Sequence, residues 1–239
     1  MKMPLDHYRD LAGLFDYPES DYPARVQGLC ELLERHCPPA AMELNAFAKA
    51  LPSQRSSFSP QELDEMQEIF TRSFDVQSIT TLSVGYIVFG DDYKRGELLV
   101  NLNREHREAG VDCGSELPDH LPNVLRLIAR WREREMVAEF VEEILHPALE
   151  RMVSEFDGAR MEQRSRLYRK HFKTLIASSE ERGTIFRMPL AALLAVVEND
   201  FNLSERKRHE PDSAFLGSIG SELEFETSEG RPTQPRSPL

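Results

Sequence analysis

Residues 59–126 read SPQELDEMQEIFTRSFDVQSITTLSVGYIVFGDDYKRGELLVNLNREHREAGVDCGSELPDHLPNVLR. Ser59 offers an N-cap hydroxyl, Pro60 has its φ preset for a first helical position, and Glu62 can close a capping box, so a helix starts at about Pro60. Leu63, Met66, Phe70 and Phe74 recur at steps of three and four, with Asp64, Glu65, Glu68 and Arg72 on other sides. That spacing makes one stripe core and leaves the rest in water. The segment 79–89 is rich in β-branched and aromatic residues, which suits a strand, yet Ile79, Leu82, Tyr86 and Phe89 follow the helical step. It is read as a buried helix. Gly90-Asp91-Asp92 is a turn in which either aspartate can cap the next helix. That helix runs over 93–109, buries Leu98, Leu99 and Leu102, and stops at Gly110 in the left-handed position. Residues 117–122 then lead into a further helix through Leu125, Ile128 and Trp131.

The flanks extend the same pattern. Helices are expected over 5–16 (Leu5, Tyr8, Leu11 and Phe15 inward, ended by Asp16-Tyr17-Pro18), 20–36 and 40–51, with a polar link from Pro52 to Ser59. The alternating charges of residues 132–135 mark a solvated face or a short break. Met136 to Phe156 reads as the longest buried rod, kinked or restarted near His146 because Pro147 removes a backbone donor. A basic amphipathic helix is expected over 161–178 and a last one over 188–201. No repeat of solenoid length is visible. The expectation is an all-α chain with one helical domain over 1–204 and a polar, proline-containing, mostly disordered tail over 205–239, in which Phe215 to Phe225 could dock as a short element.

Composition narrows the functions. The net charge of −12 repels a phosphate backbone and steers toward cationic partners, so nucleic acid is a poor partner. The longest apolar run, Pro189 to Val197, falls far short of the roughly 20 residues that a membrane span needs, so no membrane insertion is expected. No secretory leader is read at Met1-Lys2-Met3-Pro4, and the three cysteines form no CxxC pair, which fits a reducing cytoplasm. Cys30, His36 and Cys37 could be imagined as metal ligands, but Cys30 shares a helix face with Val26 and Leu33 and is read as a core thiol. P-loop, dinucleotide-binding, HExxH and GxSxG motifs are absent, so no enzyme class is indicated. His106, His120, His146 and His171 fall on separate elements and are read as structural.

Three blocks in the opening stretch, EIFTRSFD (68–75), FGDDYKRG (89–96) and ELPDHLP (116–122), resemble in that order the NarJ family, assembly chaperones of nitrate reductase and related molybdenum enzymes within the wider TorD/DmsD group. The resemblance spans residues 5–180 and is close within the blocks. It implies an all-helical bundle of the TorD/NarJ type and a cytoplasmic chaperone without catalysis. Such a chaperone binds the N-terminal leader and apo form of a catalytic subunit, of nitrate reductase or another DMSO-reductase-family enzyme, until the molybdopterin cofactor is inserted. The implied partners are that subunit and cofactor-insertion proteins. No resident cofactor is implied, only transient contact with the client's molybdopterin.

Carried over block by block, client recognition falls on Glu68, Phe70, Asp75, Tyr86, Phe89, Asp91, Lys94, Arg95, Asp119, His120 and Leu121. For the aromatics the plainer explanation is core packing, and for the acids it is capping or solvation. Thr71-Arg72-Ser73 and Tyr86-Ile87-Val88 depart from the best-known nitrate reductase chaperones, which implies a client elsewhere in that enzyme class. The competing readings are a helical subunit retained in the mature oxidoreductase and an unrecognised helical enzyme.

Overall fold

Every regular element in the computed structural model, which describes residues 5–76, 78–157 and 184–203, is helical, so the chain is all-α. The described residues belong to one unit that runs to Leu203. The helix expected over 161–178 and the tail expected over 205–239 lie outside them.

In chain order the helices are α1 (His7–Ala12), α2 (Tyr22–His36), α3 (Pro38–Ala50), α4 (Pro60–Phe74), α5 (Val84–Phe89), α6 (Tyr93–Ala109), α7 (Leu121–Arg130), α8 (Arg134–Phe140), α9 (His146–Glu155) and α10 (Arg187–Phe201). The local signals that start and stop them are those of the sequence. Ser59 and Glu62 form the capping box of α4, with Glu62 Oε2 accepting from Ser59 N at 2.7 Å. Asp92 caps α6 by accepting from Lys94 N at 2.9 Å, and Gly110 ends it at φ 64°, ψ 38°, where a side chain would be strained.

Packing joins α10 to α3 and α9, α1 to α7, α2 to α3, and α5 to both α6 and α9. The fully buried Phe186, just ahead of α10, sits between Phe47 of α3 and Phe70 and Phe74 of α4, with ring centroids 4.9–5.5 Å apart. This aromatic cluster ties the final helix to the first half of the chain, and its tilted and edge-on geometry is the favourable one for ring pairs.

Three expectations need correction. The helix expected over 5–16 covers only His7–Ala12; Gly13, Leu14 and Phe15 continue in tighter turns bonded three residues back, which still buries Leu14 and Phe15. Residues 79–83 are not helical. Ile79 and Leu82 are buried as expected, but in bends, because Ile79 N and Thr80 N both donate to Ser73 O at 3.1 Å and Ser83 forms an antiparallel bridge with His120, with Leu121 N donating to Leu82 O at 2.8 Å and Val84 N to Asp119 O at 2.9 Å. Leu98 and Leu99 are only half-buried, whereas Leu102 is buried as expected and His106 is buried with it. The rod over 136–156 restarts at His146 as expected: α8 passes through a π-helical turn, Val141–Leu145, into α9, which has Pro147 near its start. The wider turn absorbs the donor that proline lacks, so the chain continues without an open break.

Candidate functional site

A cleft of about 620 Å³ opens between the α1–α2 turn, the end of α4, residues 81–83, the loop 113–116 and the start of α7. Its aromatic floor is Phe15, Phe70 and Phe74, and Tyr17 stands at the rim, 55% exposed, with its ring edge-on to Phe70 at 5.6 Å. Gln67 fixes that rim by donating to Pro18 O at 2.9 Å. The opposite wall depends on Asn123, a buried amide whose Nδ2 donates to Cys113 O and Leu117 O, both at 3.2 Å. His106 of α6 meets Pro118 O at 3.1 Å, which holds the same loop from behind.

Carboxylates surround the mouth. Asp16 is paired with Arg126, and Asp75 and Glu116 add two more. His120 is half-buried in the wall; burial pushes its imidazole below the usual value, outweighing the pull of Glu116, Asp16 and Asp119 toward the charged form. It is therefore neutral near pH 7 and can hydrogen-bond without adding positive charge. The Cys113 thiol is pushed up by burial and by Asp112, so it stays protonated and is a weak nucleophile. Aromatic faces with acidic edges are binding chemistry. One turn of α-helix, from its diameter and pitch, occupies on the order of 500 Å³, so the cleft seats about one turn of a peptide.

Beside this wall lies a second cluster. Arg95 Nε donates to Asp119 Oδ2 at 3.1 Å, and the same guanidinium lies over the Tyr86 ring at 5.4 Å from its centroid. Asp119 is fully buried and its other oxygen has no partner among the described residues. Arg151 of α9 donates to the carbonyls of Ile87 and Val88, holding the end of α5.

Of the residues named from sequence, Phe70, Asp75 and His120 line the cleft, while Tyr86, Arg95 and Asp119 form the adjoining cluster. Leu121 is fully buried core and presents no surface. Glu68 points away from the cleft lining and pairs with Arg72 one turn on. Phe89 and Lys94 are half-buried and Asp91 is exposed, all three outside the cleft lining. Sequence reading missed Phe15, Asp16, Tyr17, Phe74, Asn123 and Arg126 as lining residues. Asp16-Tyr17-Pro18 signalled only a helix stop, and Arg126 on α7 had no local partner to reveal it, since Asp16 is distant in the chain. No known family model matches the chain, and no curated protein matches it either.

Proposed function

We propose that the protein is a cytoplasmic chaperone dedicated to one molybdenum oxidoreductase, binding the N-terminal leader and apo form of its catalytic subunit until the molybdopterin cofactor is inserted. The observation that carries this reading is the meeting of the three blocks. Phe70, Thr71, Phe74 and Asp75 of the first face Glu116, His120 and Pro122 of the third across the cleft, and Arg95 of the second holds Asp119 of the third. The three blocks thus meet in space, the first and third across the cleft and the second and third through a buried ion pair, in a bundle of the TorD/NarJ type in this reading. An amphipathic leader lays apolar side chains on Phe70, Tyr17 and Phe74, and its basic residues meet Asp75 and Glu116.

The test is capture from cells grown with and without molybdate. The proposal expects the chain to hold the apo catalytic subunit, enriched when molybdate is withheld. Stoichiometric recovery with the cofactor-loaded enzyme alone would instead identify a permanent helical subunit.

A further inference from the structure

Three side chains from distant parts of the chain meet at one point away from the cleft. His7 is the first residue of α1, His36 the last of α2, and Asp200 the penultimate residue of α10. His7 Nε2 lies 2.7 Å from Asp200 Oδ2 and His36 Nε2 lies 2.7 Å from Asp200 Oδ1. The two imidazole rings are 4.4 Å apart, and one donor atom from each residue falls within 4.8 Å of the others. The side chains are 10%, 13% and 6% exposed, so the cluster is largely shielded from solvent. Burial alone would raise the Asp200 carboxyl, but the hydrogen bond from His7 and the two nearby imidazoles outweigh it and hold the group below its usual value. It is an anion across the physiological range.

We propose that His7, His36 and Asp200 form a binding site for one divalent transition-metal ion of the zinc type, with both Nε2 atoms and the Asp200 carboxylate as protein ligands. Two imidazoles and a carboxylate are a donor set that zinc takes at about 2.0–2.2 Å, whereas calcium and magnesium take oxygen. Around a tetrahedral centre with those bond lengths neighbouring donors lie about 3.3 Å apart, so each 2.7 Å pair has to open by about 0.6 Å. Before Nε2 can coordinate, its proton moves to Nδ1 of a neutral imidazole or leaves an imidazolium, so binding weakens in acid.

A second observation points to the same place. The Tyr8 hydroxyl is fully buried with the Asp200 carboxylate as its neighbouring acceptor, but it completes no hydrogen bond of good geometry among the described residues. A buried hydroxyl held in poor hydrogen-bond geometry is costly. If one Asp200 oxygen turns to the metal, the other is free to accept from Tyr8, the kind of outer contact that orients a ligating carboxylate. The nearby Cys37 stays out of the ligand set, because its Sγ is turned to Ala195 O at 3.6 Å. Three protein ligands leave a position for water or a fourth group.

The test uses the full-length, untagged chain stripped with chelator and titrated with cobalt(II), followed by competition with zinc. One equivalent of cobalt should give the intense visible bands of a low-coordinate site, and zinc should abolish them. Among the imidazole NMR signals of the seven histidines, zinc should move those of His7 and His36 alone. His36→Gln and Asp200→Asn should remove the bands, Tyr8→Phe should weaken binding about 10-fold, and His146→Gln should change nothing. Absence of bound cobalt and zinc at micromolar concentration overturns the site and leaves a hydrogen-bonded clasp between three helices. Zinc shifts at other histidines overturn it as well, and because that readout uses the unmodified chain it holds even if a variant fails to fold. Neither result bears on leader binding, since none of the three residues lines the cleft.

Discussion

Asp119 is fully buried with one oxygen on Arg95, and Gly85 packs so closely that an added Cβ would stand 2.9 Å from that oxygen and 3.0 Å from Leu98 Cδ2. Removing the carboxylate strands a guanidinium that is only 19% exposed. Asp119→Ala should therefore lower stability by on the order of 3 kcal/mol, read from urea unfolding, and Asp119→Asn by less because an acceptor remains. Gly85→Ala should cost about 1–3 kcal/mol through the same contact. Unchanged midpoints in both variants would mean that the pair is not held as described. Asp119 reads in sequence as a polar turn residue, because nothing local announces a partner 24 positions earlier in the chain. Leu121 was misread for a related reason. A motif shows that residues belong together, but it does not separate the side chain that packs from the one that faces a ligand.

Helix boundaries were legible wherever a cap was written into neighbouring residues. The α4 capping box and the Gly110 stop needed only a few adjacent side chains, and the Asp91-Asp92 turn offered two caps, of which α6 uses Asp92. Residues 79–83 were not legible, because their path is set by hydrogen bonds to Ser73 O and by pairing with residues 119–121 and not by their own periodicity. The caps give a direct check: Ser59→Ala should cost about 1 kcal/mol. Glu62 is held down to about 2, first by the Ser59 backbone hydrogen bond, so its contribution is present above its ordinary value near 4.5 and is lost as pH falls toward 2. The loop behind the cleft has a different pH dependence. Burial holds the His106 imidazole below its ordinary value of 6.5, and so does burial at His120. The unfolded chain then takes up protons below about 6.5 before the folded one does, so stability falls as pH drops from 6.5 toward the folded values. Thermal melts from pH 8 to pH 5 should show this loss, and His106→Gln, which retains a side-chain donor for Pro118 O, should flatten the slope. An unchanged slope would remove His106 from the account.

Across the molecule, the cleft exists because α4 is pinned to α10 through Phe186 while the α1–α2 turn and the loop 113–120 are pinned from outside, by Gln67 and by His106 with Asn123. The site can therefore stay open over a rigid floor while its rim carries the charge. Those two roles lead to different kinetic outcomes. Asp75→Lys and Glu116→Lys alter exposed rim carboxylates, so they should leave the melting temperature nearly unchanged while slowing association of a basic amphipathic leader peptide. The same association rate should fall between about 0.05 and 0.5 M salt, where the Debye length shrinks about threefold. Tyr17→Ala removes an exposed ring from the rim and should speed release with little effect on folding, whereas Phe70→Ala should also lower stability, by about 3–5 kcal/mol, because Phe70 belongs to the core as well as to the floor. Calorimetry with the wild-type chain should show a negative heat-capacity change as the leader's apolar face is buried. If Tyr17→Ala and Glu116→Lys both bind the leader with unaltered rates, the peptide lies elsewhere. The exposed rings of Tyr86 and Tyr93 would then be the next surface to alter.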